Sequence, residues 1–173
     1  MEIHYFQRYH SKENVDTANA MLLLSRLYQS SADKFYSFLR THILPDNFDP
    51  ELVFRLQERS ENSVPDAVIS QESFKIVVET KLHGNFGLNQ LVNHLKDFGT
   101  ADCKILLTLD PALLEGAFKS DIDLAVAKYN QENGTNVVHK HLTFKGLCDA
   151  VRTVIDDDDE LQDVIDDYEE YCN

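Results

Sequence analysis

The sequence predicts an α/β fold in which helices flank a mixed central sheet. Apolar residues recur at helical spacing up to about residue 44, alternate in the strand pattern over residues 52–81, and then mark helices and strands in turn. A helix of about a dozen residues separates the third and fourth strands, and such a crossover implies that these two strands are parallel. With 173 residues, 43% of them hydrophobic, the chain suits one folded domain.

Each predicted helix has an apolar face and a residue that favours its beginning or end. Ser11 and Ser31 precede the first two helices, and Gly99 ends a helix that starts at Leu88. Asp110 followed by Pro111 predicts the start of a helix that runs to about residue 130. A further helix begins after residue 143, and apolar residues at helical spacing predict another in the acidic tail.

Five strands are predicted from alternation and from β-branched residues. They cover residues 52–57, 64–70, 73–81, 104–109 and 137–142. The first three form a meander, in which Gln71 and Glu72 are expected to be the two-residue connection between the second strand and the third. The domain is expected to end near residue 155, with an acidic helix or tail over residues 156–173.

Three charged residues fall where two of these strands place them on one face. Glu79 and Lys81 lie two positions apart on the third strand, so their side chains point the same way. If residues 71 and 72 form the turn, Asp66 lies opposite Val77 and shares that face. Two carboxylates suit Mg²⁺, which prefers oxygen ligands, and an ammonium beside them suits phosphodiester chemistry.

The sequence Pro65-Asp66, followed by Glu79-Thr80-Lys81 at the end of an apolar strand, resembles the motif of the PD-(D/E)xK, or restriction-endonuclease-like, nuclease superfamily. The order of predicted elements over residues 11–109 is similar to the core of that superfamily, so the resemblance covers roughly two-thirds of the chain. It implies that Asp66 and Glu79 bind Mg²⁺ or Mn²⁺, that the Thr80 carbonyl joins them, and that Lys81 acts on the nucleophilic water.

Two more residues enter through the same resemblance. Glu13 is the candidate metal-binding acid on the first helix, although an acid at a helix N-terminus is also favoured by the helix dipole. Gln90 is the candidate catalytic glutamine on the helix after the motif, or else an exposed helix residue. His94 stands where related proteins often have tyrosine, and we interpret it as a surface or groove residue. His139 and His141 alternate on a strand, and we expect them to be structural.

Charge is distributed unevenly along the chain. The formal net charge is −14, and residues 156–173 hold ten acidic residues with no Lys or Arg. Removing those ten from the 30 acidic residues leaves 20 acidic against 16 basic residues, a net charge of about −4 for the rest of the chain. A domain with that net charge can still contain a locally basic groove for nucleic acid. The tail is interpreted first as a packed helix, second as a docking or oligomerisation helix, and third as a DNA mimic.

These features predict a metal-dependent nuclease that acts on DNA rather than RNA, in restriction, repair or defence against foreign DNA. The alternative is a catalytically silent nuclease-like fold that binds a partner protein, or a second copy of itself, through the acidic helix. Three cysteines without paired spacing predict neither a disulfide framework nor a zinc site. With no signal peptide or membrane-spanning run predicted, we expect a cytoplasmic protein that does not interact with membranes.

Overall fold

The structure is a computed structural model that describes residues 5–6, 13–44, 53–56, 65–70, 74–82, 84, 86–114, 116–155 and 159–173. The chain forms two compact units. The first comprises residues 1–47 and 143–173, and the second comprises residues 48–142. In the described residues the first unit is helical, whereas the second contains nearly all of the sheet.

Six α-helices and five strands are present in the described parts of the chain. In chain order they are α1 (Glu13–Ser30), α2 (Ala32–Phe38), β1 (Val53–Leu56), β2 (Ala67–Ser70), β3 (Phe74–Thr80), α3 (Leu88–His94), β4 (Cys103–Asp110), α4 (Gly116–Asn133), β5 (Val138–Thr143), α5 (Phe144–Arg152) and α6 (Asp159–Cys172). A π-helical turn at Leu39–Ile43 continues α2, and a 3₁₀ turn at Leu95–Asp97 continues α3. The order is the one that the sequence predicts.

The five strands form one mixed sheet in the order β1-β2-β3-β4-β5. The pairs β1–β2 and β2–β3 are antiparallel, whereas β3 and β4 are parallel and are connected through α3. One face of β3 and β4 packs against α3 and α4. Buried residues of this core are Val77, Leu91, Leu95, Leu106, Ile122 and Val126. The predicted α/β class and mixed sheet are therefore confirmed.

The predicted turn between β2 and β3 is wrong. Ser70 pairs with Lys75, so four residues, 71–74, separate this pair instead of two. Neither Gln71 nor Glu72 favours the positive φ angles that a two-residue hairpin turn requires, which is a physical reason for a longer connection. The shift amounts to two positions along β3, and the side-chain period of a strand is two, so the predicted faces are preserved.

The predicted start of α4 is also wrong. β4 continues through Asp110, and α4 begins only at Gly116. The carboxylate of Asp110 accepts a hydrogen bond from the Ala112 amide at 2.9 Å and another from the Gly84 amide at 2.7 Å. An aspartate before a proline is equally suited to a turn, and here the side chain stabilises that turn and the loop after β3.

In the first unit, the acidic segment forms α6 and buries its apolar face. The buried residues include Leu161, Val164, Ile165, Tyr168 and Tyr171. Arg152 of α5 donates to Asp166 at 2.7 Å and to Glu169 at 2.5 Å, which connects the two helices on their polar side. Among the described residues, no helix combines the length and the apolar character needed to span a bilayer.

Candidate functional site

The candidate site lies at the carboxyl ends of β3 and β4. Because these strands are parallel, both end at the same edge of the sheet, and Glu79 pairs in register with Thr108. The Lys81 amide donates to the Leu109 carbonyl at 2.9 Å, which continues the pairing beyond Thr80. Ligands of α/β proteins commonly bind at the carboxyl ends of parallel strands, so this edge is a favourable place for a site.

The carboxylate of Glu79 is buried and receives three side-chain donors. Its Oε1 atom accepts from Lys81 Nζ at 2.7 Å and from Gln90 Nε2 at 2.6 Å. Its Oε2 atom lies 2.9 Å from His94 Nε2. The Glu79 side chain is only 1% exposed, so these contacts replace the water that it would have on the surface. The structure therefore brings together Glu79, Lys81 and Gln90, which the sequence assigns to one site.

The surroundings of Glu79 keep its carboxylate charged. Burial raises the pKa of Glu79, but the hydrogen bonds from His94 and Lys81 outweigh burial, and the pKa lies below its ordinary value of 4.5. Glu79 is therefore ionised at neutral pH. An ionised carboxylate in a buried place requires partners of this kind, because an unpaired buried charge is strongly destabilising.

Asp66 lies beside this cluster, immediately before the first residue of β2. Its amide donates to the Val78 carbonyl at 3.1 Å, and its Oδ2 atom accepts from the Thr80 amide at 2.8 Å. Ala67 pairs with Val78, so continuing the register aligns Asp66 with Glu79 rather than with Val77 as predicted from the shorter turn. The two carboxylates thus come from aligned positions, one just before β2 and the other on β3.

The oxygen donors here have the chemistry that Mg²⁺ needs. Mg²⁺ is commonly bound by one or two carboxylates, with water completing the octahedron, and Asp66, Glu79 and the Thr80 carbonyl supply such oxygens. Across the described residues, no group of three His, Cys, Asp or Glu side chains is arranged around one point, and Mg²⁺ does not require one. Oε1 of Glu79 accepts from both Lys81 and Gln90, so a cation bound to Oε1 would take the place of a donor.

Two further residues singled out in the sequence are Glu13 and His94, and neither is shown at the place expected for it. Glu13 is the first residue of α1 and belongs to the other unit, and its side chain lies outside the described residues. His94 is not a surface residue, because its side chain is 1% exposed and it contacts Glu79. The spacing of Gln90 and His94 was a usable signal for this contact, since positions i and i+4 share a helix face.

Two lysines of β3 and β4, Lys75 and Lys104, lie at the opposite end of these strands from the candidate site. Lys75 pairs with Lys104 close to the amino ends of β3 and β4. Lys75 donates to the Asp97 carbonyl at 2.9 Å, and Lys104 donates to the Ala101 carbonyl. These two lysines therefore stabilise the connection that enters β4 and do not extend a basic surface around Lys81.

A second polar cluster surrounds Thr108, next to Glu79 in the register. The Thr108 hydroxyl lies 2.9 Å from His139 Nε2 and 2.9 Å from His141 Nδ1. His139 also contacts Asp123 at 3.2 Å, and His141 contacts the Ala112 carbonyl at 3.0 Å. Burial lowers the pKa of both histidines below the ordinary value. Each ring is engaged by protein groups on both nitrogens, which agrees with the expected structural role.

No protein-family model, no curated protein and no solved structure matches this chain. The resemblance to PD-(D/E)xK nucleases therefore depends on the residues of the motif and on the order of the elements. The described geometry adds the arrangement of Asp66, Glu79, Lys81 and Gln90 at one edge of the sheet.

Proposed function

We propose that the protein is a metal-dependent nuclease of the PD-(D/E)xK type, with a restriction-endonuclease-like core, that hydrolyses phosphodiester bonds in DNA. The observation that carries this proposal is the buried Glu79 carboxylate, which contacts Lys81 and Gln90 and is aligned with Asp66. A carboxylate and an ammonium that end a buried strand contradict the local apolar pattern. Such inconsistency is expected where function, rather than stability, selects the residues.

In this proposal some residues of the site bind a cation and others offset negative charge on the substrate or orient a ligand. Asp66, Glu79 and the Thr80 carbonyl would hold Mg²⁺ or Mn²⁺. When bound, the ion polarises the scissile phosphate and lowers the pKa of a bound water. The side chain of Lys81 is 14% exposed, so its ammonium would be able to reach a bound substrate and offset negative charge at the phosphate. Gln90 is exposed on α3 and orients the Glu79 carboxylate through its amide.

The alternative function is a silent nuclease-like fold that binds a partner through α6. The apolar face of α6 is buried within the first unit, so a partner would meet its exposed acidic residues. This alternative requires no metal at Asp66 and Glu79, and it predicts no cleavage of any nucleic acid. Restriction, repair and defence against foreign DNA remain the proposed settings for the enzyme.

The proposal is tested by incubating plasmid and single-stranded DNA with the purified protein and Mg²⁺ or Mn²⁺. The variants are Asp66→Asn, Glu79→Gln and Lys81→Met, which preserve side-chain size. Lys128→Met is the matched control, because Lys128 is an exposed lysine on α4 that is 75% exposed. We expect each site variant to lose at least about 100-fold in cleavage rate, the scale of removing one electrostatic group from an active site.

The outcomes separate the two candidate functions. Cleavage by the wild type and by Lys128→Met that disappears in EDTA and in the three site variants supports the nuclease. Equal cleavage in all samples indicates a contaminant and contradicts the assigned site. A folded wild type that neither cleaves DNA or RNA nor binds Mn²⁺ contradicts the enzyme and favours the silent module.

A further inference from the structure

His94 differs from the other two donors of Glu79 in its burial. The side chain of His94 is 1% exposed, whereas that of Lys81 is 14% exposed and Gln90 is an exposed residue. His94 is the last residue of α3, and its neighbours Leu91 and Leu95 are core residues. The imidazole is thus held by a packed segment and has little freedom to move away from Glu79.

The two oxygens of the Glu79 carboxylate therefore have different surroundings. Oε1 faces Lys81 and Gln90, the donors that reach solvent, while Oε2 faces His94 in the interior. A cation that arrives from solvent meets Oε1 first, because flexible and partly exposed side chains can withdraw from it. Displacing His94 from Oε2 would instead require moving a buried ring that the core encloses.

We propose that His94 is a positioning residue that holds Oε2 of Glu79 and leaves Oε1 as the oxygen that receives the metal ion. This inference rests on the proposed function, because it assigns a task to His94 within the same metal site. We assign the donor role in this 2.9 Å contact to the Nε2–H group of His94, because a carboxylate oxygen is the natural acceptor. Partners that orient a ligating group in this way commonly change metal affinity when they are removed.

The test measures Mn²⁺ binding by the electron paramagnetic resonance signal of free Mn²⁺, together with DNA cleavage at several Mn²⁺ concentrations. His94→Leu removes the donor at similar volume, and His94→Gln retains an amide donor. His42→Phe is the control, because it removes a half-buried histidine of the first unit that contacts Thr153. We expect His94→Leu to weaken Mn²⁺ binding by roughly 10- to 100-fold, with His94→Gln recovering most of the affinity.

The pattern of kinetic changes distinguishes positioning from a general loss of structure. We expect His94→Leu to raise the Mn²⁺ concentration needed for half-maximal cleavage more than it lowers the rate at saturating Mn²⁺, while His42→Phe matches the wild type. Nitrogen-15 spectra of the wild-type protein should show the proton of His94 on Nε2. This measurement needs no variant, so it tests the assigned contact even if His94→Leu does not fold, and the Mn²⁺ affinity of His94→Gln then tests the positioning role.

Two results would overturn the inference while leaving the nuclease proposal intact. One is a folded His94→Leu variant that binds Mn²⁺ as tightly as the wild type and cleaves DNA normally. The other is a wild-type His94 that is protonated on Nδ1 and bare on Nε2. A wild type that neither binds Mn²⁺ nor cleaves DNA contradicts the nuclease proposal itself, and the assigned role of His94 is then contradicted with it.

Discussion

Two buried threonines on neighbouring strands differ in what their hydroxyl groups contact. The Thr108 hydroxyl is hydrogen-bonded to ring nitrogens of His139 and His141. The Thr80 hydroxyl has no hydrogen-bond partner in the described parts of the chain. Both residues are 0% exposed. The same change to valine therefore removes a satisfied hydroxyl at one position and an unsatisfied one at the other.

We expect Thr108→Val to lower the free energy of unfolding by about 1–3 kcal/mol, because it leaves two ring nitrogens in half-buried contacts without their partner. Thr80→Val should be neutral or stabilising by up to about 1 kcal/mol, because it removes a polar group that lacks compensation. Urea denaturation of the two variants and the wild type measures this difference. Equal destabilisation by both changes would show that the hydroxyl contacts of Thr108 do not account for its effect.

At the scale of single residues, periodicity predicted the pairs that lie close in sequence. Glu79 and Lys81 share a face because a strand repeats every two residues, and their contact follows from that repeat. The contact between Glu79 and His94 depends on how α3 lies across the sheet, and local sequence does not contain that information. The polarity of histidine then favoured the surface interpretation, although its spacing from Gln90 matched a shared face.

At the scale of elements, α3 is short and has different glycines at its two ends. Gly87 precedes the helix at a φ of −70° and offers no side-chain cap, and an added Cβ there meets Gln90 Cβ at 3.6 Å, an ordinary contact. Gly99 follows the 3₁₀ turn at a φ of +59°, where residues with a Cβ are strained. The two glycines therefore flank the helical segment that contains Gln90 and His94, and substitutions there affect its stability.

We expect Gly87→Ser to raise the free energy of unfolding by about 0.5–1 kcal/mol, because serine can cap the helix and restricts the unfolded chain. Gly99→Ala should lower it by about 1 kcal/mol through backbone strain alone, since an added Cβ meets no atom within 4 Å. Thermal denaturation of both variants checks the opposite signs. A stabilising Gly99→Ala would contradict the assigned left-handed conformation.

The elements themselves were predictable because their apolar patterns are strong, while two of their boundaries were not. Four residues separate the paired positions Ser70 and Lys75, and neither Gln71 nor Glu72 is a turn residue that specifies the length of this connection. Asp110 has a side chain suited to capping a helix, but it caps a turn at Ala112 and a loop at Gly84. Which backbone amides lie near a carboxylate is decided by tertiary structure, so the local pattern left both outcomes possible.

At the scale of the whole molecule, residues 156–173 are part of a unit that also contains residues 1–47. Acidic residues dominate the composition of this segment, while the spacing of its apolar residues predicted a packed helix as the first interpretation. Its few apolar residues determine its structure nonetheless, since they fall on one helical face and are buried. The buried Tyr171 hydroxyl donates to Asp16 of α1, which adds a polar contact between two helices far apart in sequence.

Deleting residues 156–173 should therefore disrupt the first unit rather than release an independent tail. Each large apolar side chain of α6 that loses its burial costs about 1.5–3 kcal/mol, and several together are comparable with the roughly 5–15 kcal/mol of a typical domain. The matched variant replaces the exposed acids Glu160 and Asp163 with glutamine and asparagine, which removes charge and preserves the apolar face. Circular dichroism and thermal denaturation should show lost helix in the deletion and a normal transition in the charge variant. A deletion that melts like the wild type would mean that α6 adds no stability, and the acidic segment would then act only through its charge.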